Sequence, residues 1–241
     1  MTSVKYARTM IRRADPRVRT TFGTEGTDDP LRRALNITVA AVGIVLVAPL
    51  MVGIALLIKL TSPGPVFYTQ PRVGVERRSR GQVSGNNKRH RDFGGRLFNI
   101  YKFRTMVVTA QGSGNGTEVW ATPNDPRVTP LGRILRLYRL DELPQLINVL
   151  RGDMNVVGPR PEQPAIFAQL RQQIESYQER QRVRPGITGW AQVNQSYDRS
   201  VGDVHRKVAY DLQYIARQSV LEDVKILMRT LPVVLGKRGA W

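Results

Sequence analysis

Twenty-two consecutive residues, Ile37 to Ile58, carry no charge, and no other feature constrains this chain as strongly. At 1.5 Å per residue such a run makes about 33 Å of helix, the thickness of a bilayer's hydrocarbon core. A buried core helix is the alternative, but few soluble cores hold an apolar helix this long. Pro49 divides the run into 12 residues before it and 9 after. An internal proline removes a backbone hydrogen bond and kinks the axis, so each half reaches only part-way across. Arg32 and Arg33 precede the run, Lys59 ends it, and Arg72, Arg77, Arg78 and Arg80 follow. Positive charge at both ends favours a cytoplasmic location for both. The sequence therefore favours a re-entrant helix over residues 31–60, kinked at Pro49, that enters and leaves by one face. A straight span, which would export the Arg-rich tail, is the competing topology. A signal peptide does not fit a run that begins this late and lacks a small-residue cleavage site.

Around this helix, residues 1–30 read as a basic flexible tail and residues 61–241 as a single domain with a substantial core. The net charge of +18 points to anionic partners: nucleic acid, phosphorylated substrates or an acidic membrane face. The absence of cysteine excludes disulfides, zinc–thiolate sites and a thiol nucleophile. The expected fold class is mainly α with a small β-hairpin (α+β), with amphipathic helices at the membrane interface.

After the Thr61–Pro65 hinge, Val66 to Gln70 reads as a strand and Leu97 to Met106 as its partner. The basic segment Arg77 to Gly95 reads as a solvated loop, with nucleic-acid contact as the less favoured reading. Residues 110–118 read as a flexible loop. Thr129-Pro130 starts a helix whose Leu131, Ile134, Leu135 and Tyr138 share a face, while Arg133, Arg136 and Arg139 recur every three residues. A second helix is expected with Asp141 as N-cap and Leu143, Leu146, Ile147 and Leu150 as its buried face. Adjacent acids such as Asp141-Glu142 commonly sit at a solvated helix start, where the dipole keeps them ionised and also favours phosphate. Arg160 lies between Pro159 and Pro161, and Arg184 precedes Pro185, so both backbones are restricted. Gln163 to Arg180 is expected to be one amphipathic helix, Arg182 to Asn194 an irregular loop, and Val204 to Leu235 helical. In this last stretch Leu221, Val224, Leu227, Met228 and Leu231 form an apolar face for the core or the membrane interface.

Five segments in register resemble the bacterial sugar transferase family, the monotopic polyprenyl-phosphate phosphoglycosyl transferases. They are Lys59 to Gly74, Tyr101 to Met106, Leu140 to Gln145, Gly152 to Met154 with Gly158 to Pro161, and Arg184 to Asn194. The resemblance implies transfer of a sugar 1-phosphate from a nucleotide-sugar donor to polyprenyl (undecaprenyl) phosphate, with release of a nucleoside monophosphate. It implies UDP as the nucleotide, Asp141 as the nucleophile that carries the phosphosugar covalently, and Glu142 as the ligand of Mg²⁺. By matching position, Arg136, Arg160, Arg184 and Lys102 are phosphate-binding residues. The resemblance also supports the same-face helix, a place on the bacterial inner (cytoplasmic) membrane with the catalytic domain facing the cytoplasm, and a role in initiating exopolysaccharide or O-antigen synthesis. Membrane lipid is then a partner, nucleic acid is not, and a homodimer is left open.

The chain departs from the family in carrying Ala48-Pro49 where members often have Ser-Pro, and in a longer basic stretch between the strands. It reads as the minimal form of the family with a longer polar tail. The competing function is a membrane-tethered protein that binds an anionic ligand, nucleic acid or lipid, without catalysis. The charge favours that reading, but charge does not explain a carboxylate pair among proline-fixed arginines.

Overall fold

The computed structural model describes residues 29–76, 94–107, 125–195 and 201–236. The expected tail, most of the basic segment after Arg77 and the 110–118 loop lie outside these residues. The first element, α1 (Pro30–Thr61), is a single 32-residue helix capped by Asp29, whose carboxylate accepts from the Leu31 amide. Helix runs through Pro49 on both sides, so the proline costs one hydrogen bond without ending the element. Only 11% of its most apolar window is buried.

Strands β1 (Phe67–Val73) and β2 (Leu97–Phe103) pair antiparallel, Phe67 opposite Phe103 and Val73 opposite Leu97. Pro71 fits in β1 because the strand is at a sheet edge, where a missing N–H is tolerated. Helix α2 (Pro130–Leu137) starts as expected, with the Thr129 hydroxyl accepting from the Gly132 amide. Gly132 is required there, because a Cβ would collide with the Thr105 carbonyl oxygen.

The second expected helix differs in its start and its buried face. Leu140–Glu142 is a 3-10 turn, and α3 (Gln145–Arg151) begins only after Pro144. Asp141 is therefore not an N-cap, because the chain tightens around it instead of entering an α-helix there. The residues that α3 buries most deeply are Gln145, Asn148 and Val149, while Leu150 is exposed. Asn148 goes inward because β2 offers backbone partners: its carboxamide accepts from the Tyr101 amide and donates to the Asn99 carbonyl. Leu146 turns toward α1, within reach of Gly43.

Beyond α3, β3 (Asn155–Val157) pairs in parallel with β4 (Gly186–Thr188), and β4 falls inside the 182–194 stretch expected to be an irregular loop. The expected 163–180 helix is two elements, α4 (Pro164–Gln173) and a 3-10 helix at Tyr177–Arg182. The positions that the amphipathic pattern turns inward are Ile166, Phe167, Leu170, Ile174 and Tyr177; the last four share one buried cluster with Val73, Val204 and Val208, and Ile166 packs against it. A short α5 (Trp190–Asn194) leads on to α6 (Val201–Arg217) and α7 (Val220–Leu235). The fold is thus α+β, with one long apolar helix at its N-terminal end.

That long helix is held at both ends. Near its start, Arg32 reaches Asp223 at 3.1 Å, Gln218 at 2.7 Å and the Tyr214 hydroxyl at 2.8 Å. Asn36 accepts from the Val156 amide, and Ala40 packs on Phe98, Ile100, Val149 and Met154. Near its end, Ile54 and Ile58 join Phe103 and Leu135. Removing Arg32 would leave Asp223 and Tyr214 facing each other in a dry interior. The Arg32→Ala variant is expected to lose about 3–5 kcal/mol of unfolding free energy, measured by denaturant titration in detergent; a loss under about 1 kcal/mol would show that the cluster contributes little.

Candidate active site

The site begins at an unusual turn. Arg139 follows α2 with φ 55° and ψ 21°, the only residue besides glycine with positive φ among those described. A side chain in that conformation costs roughly 1–2 kcal/mol. It reverses the chain so that Leu140–Glu142 faces β2, and both acids become buried.

Two cations meet them. Lys102, from β2, places Nζ 2.9 Å from Glu142 Oε1 and 3.8 Å from Asp141 Oδ2. Arg160 grips the same Glu142 with both terminal nitrogens, Nη2 to Oε1 at 2.5 Å and Nη1 to Oε2 at 3.2 Å. Burial works to raise the Glu142 pKa, but Arg160 and Lys102 outweigh it and hold the carboxyl well below the usual range. Asp141 goes the other way: burial raises its pKa, the Glu142 charge adds to that, and Lys102 only partly offsets the two. The adjacent acids are therefore unlike. Glu142 is an anchored anion surrounded by positive charge, and Asp141 is the more basic oxygen donor, the character a nucleophile needs.

Arg160 owes its position to layers behind it. Its loop is stitched to β4: the Gly186 amide donates to the Pro159 carbonyl and the Gly158 amide to the Thr188 carbonyl, each at 2.9 Å. The strands come so close that a Cβ on Gly186 would collide with the Gly158 nitrogen. Arg180, fully buried, donates to the Arg160 carbonyl at 3.0 Å, to Asp211 at 2.7 Å and to the Tyr177 hydroxyl at 2.8 Å. Two residues beyond Arg160, Glu162 pairs with Lys207 at 2.7 Å. Burial pushes the Glu162 pKa up, but Lys207 and Arg180 prevail and set it at about 2.

Of the residues singled out from sequence, Lys102, Asp141, Glu142 and Arg160 thus form one contact group. Arg136 borders it, its Nε 2.9 Å from the Thr105 hydroxyl, close enough for its charge to lower the Asp141 pKa. Arg184 lies beside the Arg160 loop, since its carbonyl would be 2.5 Å from a Cβ on Gly158; burial pushes its guanidinium pKa down. Pro49 is remote in role, an interior residue of α1. Sequence reasoning did not reach Arg180, Asp211, Thr105 and Asn148. Arg180 and Asp211 are 31 residues apart, and no local pattern marks them as a pair.

Among the described residues no group of three or more acids, histidines or cysteines could cage a metal ion. Within the contact group of Lys102, Asp141, Glu142 and Arg160, the dyad supplies the carboxylate oxygens. Mg²⁺ commonly takes one or two carboxylates and completes its shell with water and substrate phosphate, and this donor set fits that habit.

The bacterial sugar transferase family profile matches residues 27–237. A UDP-N-acetylgalactosamine-undecaprenyl-phosphate N-acetylgalactosaminephosphotransferase from Aeromonas hydrophila is 40% identical over 87% of this chain and 45% of its own length. A UDP-glucose:undecaprenyl-phosphate glucose-1-phosphate transferase from Escherichia coli strain K12 is 40% identical over 86% of this chain and 40% of its own. One of the same name from Caulobacter vibrioides is 39% identical over 88% of this chain and 73% of its own. The chain therefore spans less than half the length of the first two relatives.

The Glu162–Lys207 pair gives the site's support a pH dependence. A depressed carboxyl pKa contributes stability that is present above the unfolded value, near 4.5, and is lost as pH falls through about 2. In Lys207→Met the Glu162 pKa rises, so the acid loss of thermal stability should begin at higher pH than in the unaltered protein. Melting temperatures recorded from pH 7 to pH 2 check this; identical profiles would show that the pair does not act on stability.

Proposed function

The chain belongs to the bacterial sugar transferase family, and on that premise we propose that it moves a sugar 1-phosphate from a UDP-sugar to polyprenyl phosphate on a membrane surface. The observation that carries this reading is the buried dyad, with Glu142 clamped by Lys102 and Arg160 and Asp141 left as the basic oxygen beside it.

In the first step an Asp141 carboxylate oxygen attacks the phosphorus bonded to the sugar. The bond from that phosphorus to the bridging oxygen breaks, and uridine monophosphate leaves with the electron pair. An aspartyl-phosphosugar remains on the enzyme. In the second step a phosphate oxygen of the polyprenyl phosphate attacks the same phosphorus, the bond to Asp141 breaks, and the carboxylate is restored as the polyprenyl diphosphate sugar departs. Two displacements at one phosphorus require neutralisation of a multiply charged centre. Lys102, Arg160 and Arg136 stand nearest the dyad to meet that need, and Arg184 flanks the Arg160 loop. Mg²⁺, held by Glu142 with the donor diphosphate, would add Lewis-acid charge stabilisation. The proline-bounded arginine loop and the Arg180 brace keep the cations oriented between turnovers.

The membrane reading rests on α1. Its first turns and its last turns both pack on the same body, through Arg32 and Asn36 at one end and Ile54 and Ile58 at the other. A helix that crossed a bilayer would separate those ends by its full thickness. Between them Val42, Val45, Leu46, Leu50 and Val52 are exposed, and α7 exposes Leu221, Val224, Met228 and Leu231. Contiguous apolar surface of this kind suits an acyl environment. We therefore favour α1 entering and leaving by the cytoplasmic face of the inner membrane, where nucleotide sugars are available, and a place at the start of surface-glycan assembly.

The test is product analysis in detergent with undecaprenyl phosphate and a panel of UDP-sugars. Release of uridine monophosphate is expected, dependent on Mg²⁺ and abolished by chelation. With donor alone, a phosphosugar adduct should appear on the peptide containing Asp141. Asp141→Asn should reduce turnover by at least about 10³-fold. Release of uridine diphosphate, or full activity in the Asn variant, would reject the reading.

A further inference from the structure

Along the face that meets β2, the 3-10 turn and α3 present three polar side chains at intervals of three residues: Glu142, Gln145 and Asn148. All three are buried, and Gln145 is only 1% exposed. The outer two are fully engaged by side chains and backbone. Asn148 uses both ends of its carboxamide on β2, and Glu142 takes Lys102 and Arg160. Gln145 differs. Its Nε2 is shut away from solvent and, among the described residues, donates to nothing.

A buried amide donor with no acceptor carries the full cost of its lost hydration, and a leucine of similar volume would avoid that cost. Its presence is explained by a state in which an acceptor arrives. Leu143 and Pro144 keep right-handed helical dihedrals between the 3-10 turn and α3, so Glu142, three residues earlier, lies one tight turn before Gln145 on the same side of the chain. Glu142 is neutralised at rest by the same two cations that an incoming diphosphate would attract. When Lys102 and Arg160 turn toward phosphate, Glu142 loses both of its N–H donors, and a cation held with the donor would meet only part of a buried carboxylate that accepts at about four sites.

Resting on the transfer reaction above, we propose that Gln145 is a positioning residue: its carboxamide N–H₂ takes up Glu142 as Lys102 and Arg160 turn to the substrate phosphates. It keeps Glu142 oriented beside Asp141 while charge builds on phosphorus. Gln145 acts through Glu142 and need not touch the donor. Its strain in the resting state is stability given up for the loaded one, as at other sites where polar groups are poised for a ligand.

Gln145→Leu and Gln145→Met in the full chain, purified in detergent, separate this role from a packing role. The melting temperature should stay level or rise, because an unpartnered amide is exchanged for an apolar side chain of similar size. At the same time kcat with UDP-sugar and undecaprenyl phosphate should fall about 10–100-fold, with donor KM within about threefold of the unaltered protein. Unchanged kcat in both variants would overturn the proposal. So would a fall in melting temperature that accompanies the activity, which would make Gln145 a packing residue, or a rise in KM alone, which would put it on the donor. Unaltered protein and Asp141→Asn are assayed alongside. Absence of monophosphate release from the unaltered protein would overturn the transfer reaction and the role of Gln145 together, whereas normal release there means that a failure in the variants counts against Gln145 alone.

Discussion

Glu142 is a carboxylate with almost no access to water, and the part of the molecule that holds the acid pair is arranged around that fact. An anion in such surroundings must be met by cations and hydrogen-bond donors, or it takes up a proton. Lys102 can meet it only because β2 pairs with β1 and presents the lysine toward the 3-10 turn. Arg160 can meet it only because its loop is pinned to β4 and braced from behind by Arg180. Arg180 in turn requires Asp211 on α6, so the chain of dependence runs from one carboxylate to a helix far along the sequence. The same arrangement gives the two adjacent acids opposite character, because the cations concentrate on Glu142 and burial dominates at Asp141.

The second constraint is apolar. α1 contributes Ala40 to one buried cluster and Ile54 with Ile58 to another, so the helix is a structural member of the domain as well as its membrane element. Its contacts at either end surround a middle whose large side chains are exposed. The Arg32 cluster ties the start of α1 to α6 and α7, which places α7's exposed apolar residues on the same connected body. Dyad, arginine loop and exposed apolar surface are therefore linked by packing. In the proposed reaction that link brings a lipid-borne phosphate to a nucleophile held above the membrane surface.

Some of this was legible in the sequence. The uncharged length of α1 depends only on composition and is read directly. The Thr129-Pro130 start of α2 is a local capping arrangement and holds as expected. Where the reading failed, the physical causes differ. The polar face of α3 turned inward because β2 supplies backbone partners to Asn148. Asp141 lost its expected capping role because Arg139 reverses the chain and tightens the next residues into a 3-10 turn. The β3–β4 pairing joins two strands of three residues each, too short for an alternating pattern to register.

The sequence by itself determined the classes of interaction available: one long apolar helix, an excess of positive charge, a pair of adjacent acids and arginines restrained by proline. These follow from side-chain chemistry and near-neighbour geometry, which act over a few residues. Tertiary structure alone decided which arginine grips which acid, that Glu142 is the anchored member and Asp141 the basic one, and that both ends of α1 lie on one body. Those outcomes depend on burial and on charges brought together from distant parts of the chain, and electrostatic energy at a buried site is set by distance and solvent exclusion, not by order in the sequence.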